Sequence, residues 1–386
     1  MRLSAHPFWL AGFRPFFTLA CLSGLSLPLL WVLIFLGPLP APGLPVAAVQ
    51  WHAHEMFFGF GWAVLGGFLL TATKNWVAVR GYHGGALSFL AAAWLFERGG
   101  MWFGGSWPAW LFRLSNTLFL ASIVAMLGWT LVRYRKNDSY RDNYFFLLIL
   151  PAFLLAKQWM LSAEHFQIAI VMTTGLFRMA FLVMLERTLT QFMKNVFQVD
   201  ILRNAALDRA IKLLGLSLVG AGLMPPSLAG WISLLLALLL AGRLCFWKPQ
   251  LALRRLDLGI MYLGYGAIVL QLLVEFLGQV AHPAWIGSFS VHVFTLGTMG
   301  LIIPAMLIRI AKGHTGRKVV FDRIDKLVLW IMIAAFVLRV IAPQLDPAAY
   351  GLWLVLAACG WFCGFAILAW RLIPFLAQAR VDGKEH

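Results

Sequence analysis

The amino-acid sequence predicts an all-α, polytopic integral membrane protein, and three observations predict it. Of its 386 residues 61% are hydrophobic and 12% charged, with a mean hydropathy of +0.83, which is more apolar than a soluble domain can be. The apolar residues gather in runs close to the ~20 needed to cross a bilayer as helix, without the short alternation of a transmembrane barrel. The net charge of +16 is spread unevenly over the connections between those runs. The whole chain, 1–386, reads as a single transmembrane helical domain.

Twelve runs are expected to span: 16 to 36, 50 to 73, 85 to 104, 108 to 132, 143 to 161, 166 to 186, 210 to 227, 229 to 247, 258 to 281, 284 to 308, 326 to 343 and 350 to 376. The third is interrupted by Glu97-Arg98-Gly99-Gly100 and the seventh ends at Pro225-Pro226, both breakers of helical pattern. With the N-terminus inside, all but five of the 31 Lys and Arg residues fall before the first run, after the even-numbered runs or at the C-terminus. That bias is the positive-inside signature and predicts that both termini are cytoplasmic. The basicity is therefore read as topological, with no nucleic-acid partner. The first run lacks a small-residue cleavage site and is read as a retained helix.

The five exceptional cations are Arg98, Arg113, Lys157, Arg178 and Arg339, and the acids left with them are Glu55, Glu97, Glu164, Glu275 and Asp346. Charge at membrane depth is costly unless it is paired, snorkelled or turned to a polar cavity, so a cluster marks a site. The competing account is helix-to-helix ion pairing, for instance Arg178 with Glu275. Histidines divide similarly: His52, His54, His165, His282 and His292 fall near the outer face, and His6, His83, His314 and His386 inside.

The stretch "QWHAHEMFFGFG" at 50 to 61 opens the second run with two histidines and a glutamate. On a regular helix His52, Glu55 and Met56 share a face and His54 points about 160° away, so the two histidines cannot serve one metal together. His54 is followed by Gly59, Gly61, Gly66 and Gly67, and His292 by Gly297 and Gly300. Each histidine thus heads a helix with a flattened surface, on which a planar macrocycle held by axial histidines can lie; small residues serve ordinary helix packing equally well. His52 with Met56, near His54, is a partial copper site, since imidazole and thioether ligands suit that metal. The four cysteines make no metal set, and the absence of Cys-x-x-Cys-His excludes covalent c-type haem.

Three blocks carry a family likeness: "GFRPFF" at 12 to 17; "WHAHEMFFGF" at 51 to 60 with "GGFLLTATKNW" at 66 to 76; and "HVFTLGTMGLIIPAMLIRIAKGHTGR" at 292 to 317. On these the chain resembles the NnrS family, membrane proteins of the nitric oxide response. The resemblance implies non-covalent b-type haem with copper beside it, nitric oxide or another small gas as ligand, an electron donor, and a place in the bacterial cytoplasmic (inner) membrane. It supplies no settled reaction, so enzyme, sensor and transporter all stay open. Inside the blocks the implied site residues are His52, His54, Glu55, His292 and His314, the last with Arg317 in a Gly-His-Thr-Gly-Arg turn. Propionate partners are sought in Arg98, Arg113 and Arg178. Against this stands a second class, a transporter of a small anion using the outer cations; the sequence shows no convincing internal repeat to favour it.

Overall fold

The computed structural model describes residues 6–39, 43–140, 143–283 and 285–384; His386 lies outside them. All regular structure among these residues is helical. In chain order the principal helices are α1 (Phe13–Phe35), α2 (Ala48–Trp76), α3 (Gly85–Phe103), α4 (Ala109–Arg133), α5 (Tyr144–Met160), α6 (Phe166–Phe197), α7 (Ala205–Ser217), α8 (Pro226–Phe246), α9 (Leu256–Val280), α10 (Phe289–His314), α11 (Arg323–Phe336) and α12 (Tyr350–Ala377). Each run marked in the sequence meets one of them. Among the described residues eight helices are long and apolar enough to cross a membrane, α1, α2, α4, α6, α8, α9, α10 and the one ending at Ala377.

Boundaries depart from expectation where tertiary partners intervene. The Glu97-Arg98-Gly99-Gly100 stretch does not break α3, because both charges find partners and Gly100 lies against the Ser115 side chain of α4, where no larger residue fits. The apolar run of α6 ends near Leu185, yet the helix continues to Phe197. The run before Pro225 becomes α7, whose orphan N–H groups at Ala206 and Leu207 are accepted by the Asn204 side chain, followed by tighter turns over Leu218–Leu223. That cap satisfies donors which the first turn of a helix leaves open.

The chain forms two compact units: residues 1–166, 306–320 and 361–386 in one, residues 167–305 and 321–360 in the other. In the first, α1 lies on α2 through small residues: Phe16 and Phe17 fill the space over Gly67. The Thr71 hydroxyl accepts the Phe13 N–H at 2.8 Å and donates to the Gly67 carbonyl at 2.7 Å. In the second, α9 lies on α10 in the same manner, with Ala267 and Phe336 filling the space over Gly297 and Thr298 donating to the Gly264 carbonyl at 3.1 Å. Small residues that admit close backbone approach, with hydroxyl bonds across the contact, are how helices associate where lipid offers no hydrophobic drive.

A likeness invisible in the letters emerges here. In α2 a seven-residue π-helical segment, Glu55–Gly61, follows His54 and leads into the fifteen-residue α-helix Trp62–Trp76. In α10 a seven-residue π segment, Val293–Met299, follows His292 and leads into the fifteen-residue α-helix Gly300–His314. Between the two stretches His54 matches His292, Gly59 matches Gly297, Leu69 matches Leu307 and Lys74 matches Lys312. So few identities are too sparse to read as a repeat, but the backbone device is duplicated.

Candidate functional site

Two sites form, one at each histidine. A π turn widens a helix by one residue and marks functional positions more often than chance. In α2 the widened turn is supported from outside by the Trp94 indole, which donates to the Gly59 carbonyl at 3.1 Å, and the Arg98 guanidinium occupies the place of a side chain at Gly59. His54 is fully buried. Its Nδ1 lies 3.4 Å from Glu55 Oε1, and its Nε2 lies 3.7 Å from Glu97 Oε1, with no hydrogen-bond partner. Arg98 reaches Glu55 at 2.9 Å and also meets Glu97, while Lys157 of α5 reaches the other Glu97 oxygen at 2.6 Å. Two carboxylates and two cations thus balance around the imidazole, which lowers the penalty of burying each.

The geometry rearranges the expected faces. Because the helix widens at Glu55, that carboxylate turns to His54 and Arg98. His52 stacks its ring on Trp31 at 4.3 Å and 14°. Among the described residues no three His, Cys, Asp or Glu side chains are grouped as a metal would need. The flattened surfaces are filled too: Ile123 covers Gly66, Phe16 and Phe17 cover Gly67, and Ala267 with Phe336 covers Gly297. These glycines serve helix packing.

In the second unit the His292 Nδ1–H donates to the Ser288 carbonyl at 2.7 Å, a bond that leaves the lone pair on Nε2. Arg339, from the π turn Val337–Ile341 that continues α11, approaches that Nε2 at 3.3 Å and the Tyr350 hydroxyl at 3.3 Å. A cavity of about 200 Å³ opens beside them, lined also by Trp285, Phe289 and Gln344. Arg178 of α6 donates to Gln271 at 2.8 Å and pairs with Glu275 at 3.0 Å, so the ion-pair account of that residue holds. Arg113 stands exposed on α4.

His314 and Arg317 belong to a different construction. The His314 ring lies 5.4 Å from that of Phe13, its carbonyl accepts from Arg380, and Arg317 donates to the Gln378 side chain at 2.8 Å while its guanidinium covers Phe375. Arg14 donates to the carbonyls of Leu376 and Gln378 at 2.7 and 2.6 Å. The "GFRPFF" and "GHTGR" blocks therefore meet as a clasp on the end of α12, satisfying carbonyls that a helix C-terminus leaves open.

One cluster was not anticipated. Arg243, buried at the end of α8, bonds Asp208 at 3.1 Å, Glu186 at 3.4 Å and the Tyr265 hydroxyl at 3.0 Å. Arg203 and Lys212 join it at Glu186. The charge pattern assigned these cations to topology, and only the lone Glu186 within α6 signals that some turn inward.

Fold and site together define a helical membrane protein whose two histidine-headed, π-interrupted helices each meet charged residues carried by the helix that follows. The family model described as NnrS protein matches residues 7–380, nearly the whole chain, and the chain belongs to the NnrS family. That membership marks it as a membrane protein of the nitric oxide response, in a family generally associated with metal or haem. No curated protein matches the chain significantly.

Proposed function

We propose that the protein binds non-covalent b-type haem through His54 and His292, each an axial ligand in its own unit, and uses it to handle nitric oxide. The observation carrying this reading is the orientation of the two imidazoles. His54 turns Nδ1 to the Glu55 carboxylate and leaves a buried Nε2 without a hydrogen bond; His292 pins Nδ1 to a backbone carbonyl and turns Nε2 to Arg339 at 3.3 Å. An oxygen on one ring nitrogen fixes tautomer and orientation, and raises the basicity of the other as a ligand. Haem needs only one or two such donors, since the porphyrin supplies the rest, so the lack of a three-residue metal group among the described residues bears on copper alone. Copper has no comparable support.

When bound, haem supplies an iron that takes nitric oxide and exchanges single electrons. The chain holds the imidazoles, excludes water through the apolar bodies of Phe57, Phe58 and Phe60, which are buried, and leaves the lipid phase as the route for an apolar gas. Protein purified in mild detergent from haem-replete cells is expected to show a Soret band. His54→Ala and His292→Ala should each remove or shift it, and His83→Ala, whose ring bonds the Gly81 carbonyl, should not. A colourless, folded wild type would sink the reading. Consumption of nitric oxide with an electron donor would make the protein an oxidoreductase; binding without consumption would make it a sensor or store.

A further inference from the structure

Arg339 differs from the other cations that stand apart from the basic connections. Lys157 and Arg98 meet Glu97 and Glu55, and Arg178 meets Glu275, while Arg113 is exposed. Arg339 is half-buried, and its described partners are the His292 ring, the Tyr350 hydroxyl and the Tyr350 ring face. None of them is a carboxylate. A guanidinium withdrawn from water is always charged, and without a counter-charge it is an unfavourable arrangement that an incoming anion relieves.

We propose that the cavity beside Arg339 is a binding site for a carboxylate or similar small oxyanion, with Arg339 as the charged anchor and Tyr350 and Gln344 as neutral donors. Every hydrogen bond described for Arg339 is made by Nη2, so the N–H groups of Nη1 and Nε are left to meet an entering carboxylate through charge-assisted bonds. His292 commits its Nδ1–H to Ser288 and turns Nε2 to the Arg339 guanidinium. Trp285 and Phe289 wall the cavity with apolar surface, which strengthens the charge-assisted bonds inside it. Its volume of about 200 Å³ falls below the roughly 300–1,000 Å³ of sites that enclose drug-sized ligands. It therefore suits a free anion of a few atoms, or the carboxylate arm of a larger molecule whose body lies outside it.

The carboxylate has two chemical sources: a free small anion, or a propionate arm of haem. Only the second rests on the haem reading. Full-length protein in mild detergent, prepared haem-free and haem-loaded, separates them. In haem-free protein, calorimetric titration with sodium propionate should saturate, weaken by about tenfold or more in Arg339→Gln and recover partly in Arg339→Lys, since one strong charge-assisted bond accounts for a factor of that order. If the source is haem, loading should abolish the propionate titration, and Arg339→Gln should speed transfer of haem to an acceptor protein by a similar factor. A wild type that never takes up haem leaves the titration to decide alone. The proposal is overturned if the haem-free protein shows no saturable propionate binding and Arg339→Gln, with Arg339→Lys as the folding control, keeps haem as firmly as wild type.

Discussion

Around His54 the chain brings two carboxylates, Glu55 and Glu97, to two cations, Arg98 and Lys157; around His292 it brings Arg339 and, among the described residues, no carboxylate to meet it. The backbone device is shared, a histidine, a seven-residue π segment and a fifteen-residue helix. The first site is closed and internally neutral, while the second opens on a cavity. A duplicated scaffold thus carries two electrostatic solutions. One is completed by the protein itself; the other is left for something that enters. A site that already holds its counter-charges has little left to offer a charged ligand, whereas an uncompensated cation beside an opening does.

The largest effect should come from unbalancing the closed site. Glu97→Gln leaves Lys157 and Arg98 sharing one carboxylate in low dielectric, and a loss of about 3–5 kcal/mol is expected, because the orphaned charge costs more than the pair contributes. The melting temperature in detergent reports it. Glu97→Gln with Lys157→Met removes charge evenly and should recover more than half. By contrast Arg339→Gln orphans no acid and should change stability by under about 1 kcal/mol. Equal losses in the two single variants would erase the electrostatic distinction drawn between the sites.

A smaller effect separates the matched glycines. A methyl group at Gly297 would meet Ala267 Cβ at 2.7 Å and a Phe336 ring carbon at 2.8 Å, both held by packed helices, so Gly297→Ala should cost about 1–3 kcal/mol. At Gly59 the obstacle is the far end of the Arg98 side chain, which can swing, so Gly59→Ala should be milder in melting temperature. It should nonetheless disturb the Arg98–Glu55 pair, visible as a shifted absorption spectrum if His54 carries haem.

The smallest effect concerns the clasp at the end of α12. Hydrogen bonding from Arg380 holds the Asp382 carboxyl down to about 2, below the ~3.9 of an unfolded chain. A depressed carboxylate contributes its stabilisation above the unfolded value and loses it as pH falls through the folded one. Protease protection of the tail beyond Gln378 should therefore be constant from neutral pH to about 4 and decline towards 2. Asp382→Asn should flatten that decline.

Much of the first site was written in the sequence. Glu97, Arg98 and Lys157 could be recognised as misplaced charges because the rest of the chain keeps its cations at the connections, and the Arg178–Glu275 pair follows from the same logic. Arg339 was visible as one of five outer cations offered together to a small anion, but not as the half-buried one that meets no carboxylate among the described residues. Its distinction is what it fails to meet, and a partner's absence in space leaves no trace in a string of letters. His314 stood out as a motif histidine, yet its neighbours include Phe13 of α1 and Arg380 beyond α12, separations that no local pattern spans.

What the sequence by itself determined is the class: an all-helical membrane protein, because ~20-residue apolar runs leave the backbone no other way to satisfy its own donors and acceptors in lipid. It also determined that charges and histidines stand inside those runs. Tertiary structure decided which of them meet. The π turns after His54 and His292 turn side chains off the regular 100° step, so the face shared on paper by His52 and Glu55 gives way to a contact of Glu55 with His54. Ion pairing then depends on neighbours brought by other helices, Glu97 and Arg98 from α3 and Lys157 from α5. Periodicity is a property of one helix, whereas charge compensation is a property of several, and only packing brings those several together.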